Sequence, residues 1–146
     1  MSKQDFTHHF FMPVRWGDAD ALGHINNVQF VRFLESGRVA YCDDVLDMKF
    51  EVGLTSGWIL ADMQCSYLQQ VHYPADLEVH TRISKVGNKS ATVLANIYRL
   101  GEVEPVIRSK GIMVWFDYEK QQTATVPDYI KSKIRCFEKS VDGLTA

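Results

Sequence analysis

Between Val28 and Leu46 the chain carries a helical pattern that is apolar around most of its circumference. Val31, Leu34, Arg38, Tyr41 and Val45 recur at three- and four-residue steps, and Phe30, Phe33, Gly37 and Ala40 form a second stripe beside them. A surface helix shows one such stripe; a helix with two must be covered over much of its surface. Gly37 in its interior costs about 1 kcal/mol of helix propensity against alanine, so it predicts a close approach to a neighbouring strand. Whatever else the chain forms has to wrap this helix.

The remaining sequence supplies the wrapping. Phe10 to Arg15 is a short apolar stretch that predicts a first strand. After the helix the period becomes two, which is the signature of strands. Ile59, Ala61, Met63, Cys65 and Tyr67 are expected to line one face of a strand. Leu77, Val79, Thr81 and Ile83 alternate with Glu78, His80, Arg82 and Ser84, and Gly87-Asn88 then marks a hairpin turn. Ala91, Val93, Ala95 and Ile97 alternate in the next strand, residues 101–105 turn again, and Val106 to Phe116 forms the last long strand. Pro127 opens a short amphipathic helix running to about Phe137. Tight turns imply antiparallel neighbours. The economical solution is an α+β fold, a curved antiparallel sheet around one buried helix, with residues 1–146 as one domain. Sheet edges left open by this arrangement favour pairing between subunits.

The charge balance narrows the possible partners. Sixteen basic and eighteen acidic residues leave a formal net charge of −2, so no broad basic surface is expected to meet nucleic acid or an anionic membrane. No apolar run approaches the ~20 residues needed to cross a bilayer. The N-terminus lacks the apolar core of a signal peptide. Cys42, Cys65 and Cys136 are scattered without a CxxC pair, which fits reduced thiols in the cytoplasm. Cys42 and Cys65 fall on apolar faces and read as buried, inert thiols. The five histidines show no metal-ligand spacing, and His8-His9 reads as a mobile terminus.

The chemistry concentrates in residues 15–27, where Asp18, Asp20, His24, Asn26 and Asn27 precede the long helix. Asn26 or Asn27 is a suitable N-cap. A helix start presents unpaired N–H groups and a partial positive charge, which can hold a developing oxyanion. A nearby carboxylate can attack as a nucleophile or activate water. Asp18-x-Asp20-x-x-Gly23 shares its spacing with the start of a calcium loop, but Leu22 stands where an oxygen ligand is needed.

The pattern Asp-x-Asp-x-x-Gly-His-x-Asn-Asn, followed by Phe-Leu-Glu-Ser-Gly-Arg up to Arg38, resembles the 4-hydroxybenzoyl-CoA thioesterase-like branch of the hotdog superfamily. The resemblance extends over nearly the whole chain. It implies a hotdog fold and hydrolysis of acyl-coenzyme A thioesters without metal or organic cofactor. It also implies a homodimer or homotetramer with the active site between subunits. The catalytic aspartate of the family corresponds to Asp20, with Asp18 shaping the loop. His24 is expected to anchor the loop or assist catalysis, and Asn27 to contact the acyl group or orient water. Backbone N–H groups around Asn27 to Phe30 would polarise the thioester oxygen. Val28, Phe30, Trp58, Lys89 and Ser90 complete the expected substrate-binding set, Lys85 and Asn88 flanking the same turn. Glu35, on the long helix, reads as structural and within reach of Arg38. Plant acyl-carrier-protein thioesterases are similar at this loop, but an assisting asparagine of theirs is replaced here by Leu22. A carrier-protein substrate and a non-catalytic acyl-CoA-binding protein are the alternative readings.

Overall fold

The computed structural model describes residues 1–144. Strand β1 (His8–Pro13) is followed by the loop and by helix α1 (Asn27–Leu46). Then come β2 (Ser56–Tyr67), β3 (Asp76–Val86), β4 (Ser90–Arg99), β5 (Pro105–Asp117), the two-residue β6 (Gln122–Thr123) and helix α2 (Asp128–Phe137). The named strands all pair antiparallel, in the order β1-β3-β4-β5-β2, with β6 on the end of β5. The sheet curls around α1, which is the hotdog arrangement expected from the sequence. The hairpins put β3, β4 and β5 side by side. Strand β2 is instead carried away from β3 by residues 68–75 and pairs with β5, so it forms one edge of the sheet.

Asn26 caps α1, its Oδ1 accepting from Val28 N at 2.9 Å. The buried residues of α1 are Phe30, Phe33, Leu34, Gly37, Tyr41, Cys42 and Leu46. The N-terminal half of the helix packs with Leu77, Val79, Ile97 and Ile107. The C-terminal half packs with Ile83, Val93, Met113 and Trp115, and with Ile130 and Ile134 of α2. At Gly37 a Cβ would lie 2.5 Å from Val79 Cγ1 and 3.0 Å from Val79 Cβ. The close approach is therefore real, and it decides the sign of a substitution. Gly37→Ala should destabilise the protein by about 1–2 kcal/mol despite its better helix propensity, because overpacking outweighs the propensity gain. Thermal unfolding should show the midpoint lowered by roughly 4 °C; a raised midpoint would refute the packing argument.

Strand β2 departs from the simple alternation read from its sequence. A bulge between Leu60 and Asp62 inserts one residue against β5. Trp58 and Leu60 therefore pair with the inward-facing Trp115 and Met113, whereas beyond the bulge Met63 and Cys65 pair with Gly111 and Ser109. An extra residue flips the side-chain parity. Ile59 and Ala61 consequently turn out to solvent, while Met63 and Cys65 pack against the core.

The N-terminus is also more ordered than its composition suggests. His8 and His9 belong to β1, and His8 is buried, with Nε2 2.7 Å from Asp44 Oδ2 on α1. His80, on the face of β3 read as polar, is only 3% exposed because the N-terminal segment folds over it. Phe6 meets it edge-on at 6.3 Å and His9 stacks on it at 4.0 Å. Its Nε2 lies 3.2 Å from Glu78 Oε1, but too poorly aligned for a hydrogen bond. Burial, reinforced by His9, pushes the His80 imidazole down to about 4. The unfolded chain then binds a proton that the folded chain refuses, so stability rises with pH across this window. The midpoint of unfolding should be level above about pH 6.5, fall towards pH 4, and fall less in His80→Gln. Equal slopes in the two proteins would exclude His80 as the source.

A further buried polar centre links the two ends of the chain. Glu138, just past α2 and only 7% exposed, accepts from Tyr41 Oη at 2.8 Å, Thr7 Oγ1 at 2.7 Å and Ile83 N at 3.0 Å. Burial, together with the Glu138 charge, raises the Tyr41 hydroxyl far above the ordinary phenol range.

Candidate active site

The loop between β1 and α1 is held shut by its own carboxylates. Asp18 is 3% exposed and accepts from Arg15 N and Arg15 Nη2, both at 2.9 Å. Its carbonyl accepts from Asn26 N at 3.3 Å, tying the loop entrance to the helix start. Burial alone would raise the Asp18 carboxyl, but the Arg15 hydrogen bonds and charge outweigh it and hold it below the usual range. That is the structural role expected of Asp18.

Asp20 sits at the tip of the loop. Its Oδ1 accepts from Leu22 N at 2.9 Å and His24 N at 3.1 Å. Its own N–H donates to His24 O at 2.7 Å, and Gly23 reverses the chain at φ +80°. Two amides thus fix the carboxylate plane, while Oδ2 has no partner among the described residues. Asp20, His24, Asn27 and Phe30 line one cavity of about 430 Å³. At the helix start, Val28 N is taken by Asn26 Oδ1 and Gln29 N by Asn26 O. The Asn27 N–H has no partner among the described residues. Of the amides at this end of the helix, Asn27 N–H is therefore the one left to meet an oxyanion.

His24 packs edge-on against His72 at 4.3 Å, and the neighbouring Ile25 N and Gly23 O bond to Val71 O and Tyr73 N. Anchoring and cavity lining coincide at this residue. Tyr67, Leu68, Gln69 and Gln70 close the opposite wall. The Tyr67 hydroxyl donates to Asn27 O at 3.4 Å, and the Arg99 guanidinium holds Gln69 and Gln70. No local motif marks these residues; only the return of β2 to the helix start brings them there.

The other expected contacts lie elsewhere. Val28 is 61% exposed and does not line the cavity. Trp58 is buried against Trp115 at 4.9 Å and lines a second cavity of about 310 Å³ with Arg38, Phe50, Leu60 and Met113. Ser90 pairs with Val114, and Lys89 O accepts from Trp115 N, so this turn sits at the same end of the sheet as Trp58. Arg99, at the other end of β4, holds the wall of the Asp20 cavity. Strand rise puts roughly 30 Å between Ser90 and Arg99. The expected site residues thus form two groups at opposite ends of one sheet. Glu35 makes no ion pair with Arg38. Among the described residues, no group of three or more His, Cys, Asp or Glu is placed to hold a metal ion.

A model of the thioesterase-like superfamily matches residues 14–134, spanning the loop, α1 and all the long strands after it. The chain belongs to the thioesterase-like superfamily. It is a thioester hydrolase. Among its relatives, the acyl-acyl carrier protein thioesterase ATL2 of Arabidopsis thaliana chloroplasts is 25% identical, over 90% of this chain and 70% of that one. The Bacillus subtilis (strain 168) protein YsmA is 31% identical, over 82% of this chain and 86% of its own. A thioesterase from Thermus thermophilus, solved with coenzyme A and zinc, superposes with a TM-score of 0.81 at 26% identity. That superposition covers 92% of this chain and 96% of that one. No helix of this thioesterase, among the described residues, is long and apolar enough to cross a membrane.

Proposed function

We propose that this thioesterase hydrolyses acyl-coenzyme A, with Asp20 as nucleophile or general base and the Asn27 N–H receiving the carbonyl oxygen. One observation carries the reading. Asp20, clamped through Oδ1 with Oδ2 unpartnered among the described residues, lines the same cavity as Asn27, whose N–H is likewise unpartnered there. Oδ2 either attacks the carbonyl carbon or takes a proton from the water that does. The carbonyl oxygen gains charge beside the helix start, the C–S bond breaks, and coenzyme A leaves as the thiol once protonated. Water supplies the oxygen of the free acid. The coenzyme A bound by the Thermus relative supports the choice of carrier.

The same reading explains why the expected contacts fall in two groups. Strand β2 is long, forms an edge, and exposes Ile59, Leu60 and Tyr67, with exposed Leu68 just beyond its end. Antiparallel pairing of two β2 edges about a two-fold axis sets the Tyr67 end of one strand against the Trp58 end of the other. The Asp20 cavity of one protomer then meets Trp58 of the partner subunit, with the Lys89–Ser90 turn of that end available to the coenzyme A arm. A homodimer, alone or doubled to a tetramer, completes the site.

The test is release of free coenzyme A from short, medium, long and aromatic acyl-CoAs, with the oligomeric state measured by light scattering. Hydrolysis of at least one member by a dimeric or tetrameric species supports the proposal. The Arabidopsis relatives favour a second reading, carrier-protein thioesters at the same Asp20. Turnover of acyl-carrier-protein substrates with every acyl-CoA inert would select it.

A further inference from the structure

We propose that Arg38 is a specificity-determining residue that binds a carboxylate at the far end of the acyl group, making ω-carboxyacyl thioesters the preferred substrates. This rests on the hydrolase reading above and on the β2–β2 seam, which sets the Arg38 cavity of one protomer beside the Asp20 cavity of the other.

Arg38 is half-buried on α1 and lines the cavity of about 310 Å³ with Phe50, Trp58, Leu60 and Met113. It makes no ion pair and no hydrogen bond among the described residues. Glu35, one turn earlier and exposed, lines the same cavity but does not reach it as an ion-pair partner. Burial pushes the guanidinium pKa down, and Glu35 only partly opposes this. The indole N–H of Trp58, on the same cavity, is also buried without an acceptor.

A half-buried guanidinium with no protein partner gains from an anion brought into the same cavity, where screening by water is reduced. The guanidinium fork matches a carboxylate in a bidentate geometry that a hydroxyl or methyl end cannot reproduce. The aromatic and aliphatic walls suit the methylenes that would join such a carboxylate to the thioester. A plain acyl chain would leave the buried Trp58 N–H unsatisfied and the guanidinium without an anion, and a site built to bind a polar group discriminates strongly against the analogue that lacks it.

The experiment compares hexanoyl-CoA with adipoyl-CoA, equal in chain length but ending in methyl or carboxylate, on wild type, Arg38→Met and Arg38→Lys. Wild type should show the higher kcat/KM for adipoyl-CoA. The adipoyl-to-hexanoyl ratio should fall roughly 30-fold in Arg38→Met and less in Arg38→Lys. An unchanged ratio in Arg38→Met, a wild-type preference for hexanoyl-CoA, or dissociation of Arg38→Met into monomers would overturn the assignment. If wild type cleaves neither thioester, the wider acyl-CoA panel decides on the hydrolase reading, and calorimetric titration of the same two ligands still decides on Arg38. Tighter binding of adipoyl-CoA that disappears in Arg38→Met supports it, and equal binding overturns it.

Discussion

Asp20→Asn is expected to lower kcat roughly a thousandfold while the protein stays folded and still binds its thioester. The substitution is nearly isosteric, and an amide oxygen can accept from Leu22 N and His24 N as Oδ1 does now. The loop geometry should therefore survive, and with it the cavity shared with Asn27 and Phe30. What is lost is the charge on the free oxygen, and so both the nucleophile and the base. Steady-state release of coenzyme A measures the first effect, and titration of intact acyl-CoA into the variant measures the second. Retention of more than about a tenth of wild-type kcat would remove Asp20 from the chemistry. Loss of binding together with activity would show that the residue only shapes the loop. Asp18→Asn offers a contrast, because the Asp18 carboxylate is occupied by Arg15 and its variant should act mainly through stability.

The largest stability effect is expected at Glu138. Its carboxylate satisfies the Ile83 N–H, the Tyr41 hydroxyl and the Thr7 hydroxyl, joining α2, α1, β3 and the segment before β1. Truncation to alanine strands buried donors in a region sealed by Ile130, Ile134 and Tyr41. Each buried unsatisfied group costs about 1–3 kcal/mol, so Glu138→Ala should lose about 3–4 kcal/mol in all. For a chain of this size that corresponds to a midpoint roughly 10 °C lower in thermal unfolding. Glu138→Gln, which keeps an acceptor, should fall between alanine and wild type. A shift below about 2 °C for the alanine variant would mean that water or a rearranged side chain replaces the carboxylate.

Much of the architecture follows from local pattern. The doubly apolar helix demanded a wrapping sheet, and the Gly87-Asn88 and residue 101–105 turns joined β3, β4 and β5 as neighbours because short turns leave no other partner within reach. Gly37 announced its contact with Val79, since a glycine in mid-helix is otherwise unfavourable. Asp20, His24 and Asn27 were legible as a group because they lie close together in one loop, where sequence proximity enforces spatial proximity. Three things depend on long-range pairing and were not legible. The bulge at Leu60/Asp62 inverts which β2 residues face the core, and a period-two pattern carries no mark of one extra residue. Burial of His80 comes from the N-terminal segment, more than sixty residues away in the chain. Tyr67 reaches the Asn27 carbonyl only because β2 crosses to the far edge of the sheet.

The fold class, the candidate loop and the aspartate at its tip could all be read from residues near one another in the chain, because each rests on short-range contacts. Three other features emerged only once the chain was folded: which helix-start amide is free, which strand closes the cavity, and that Trp58, Lys89 and Ser90 stand at the opposite end of the sheet from Asp20. Those outcomes are set by strand register and by the path of residues 68–75, and neither has a local energetic signature to read.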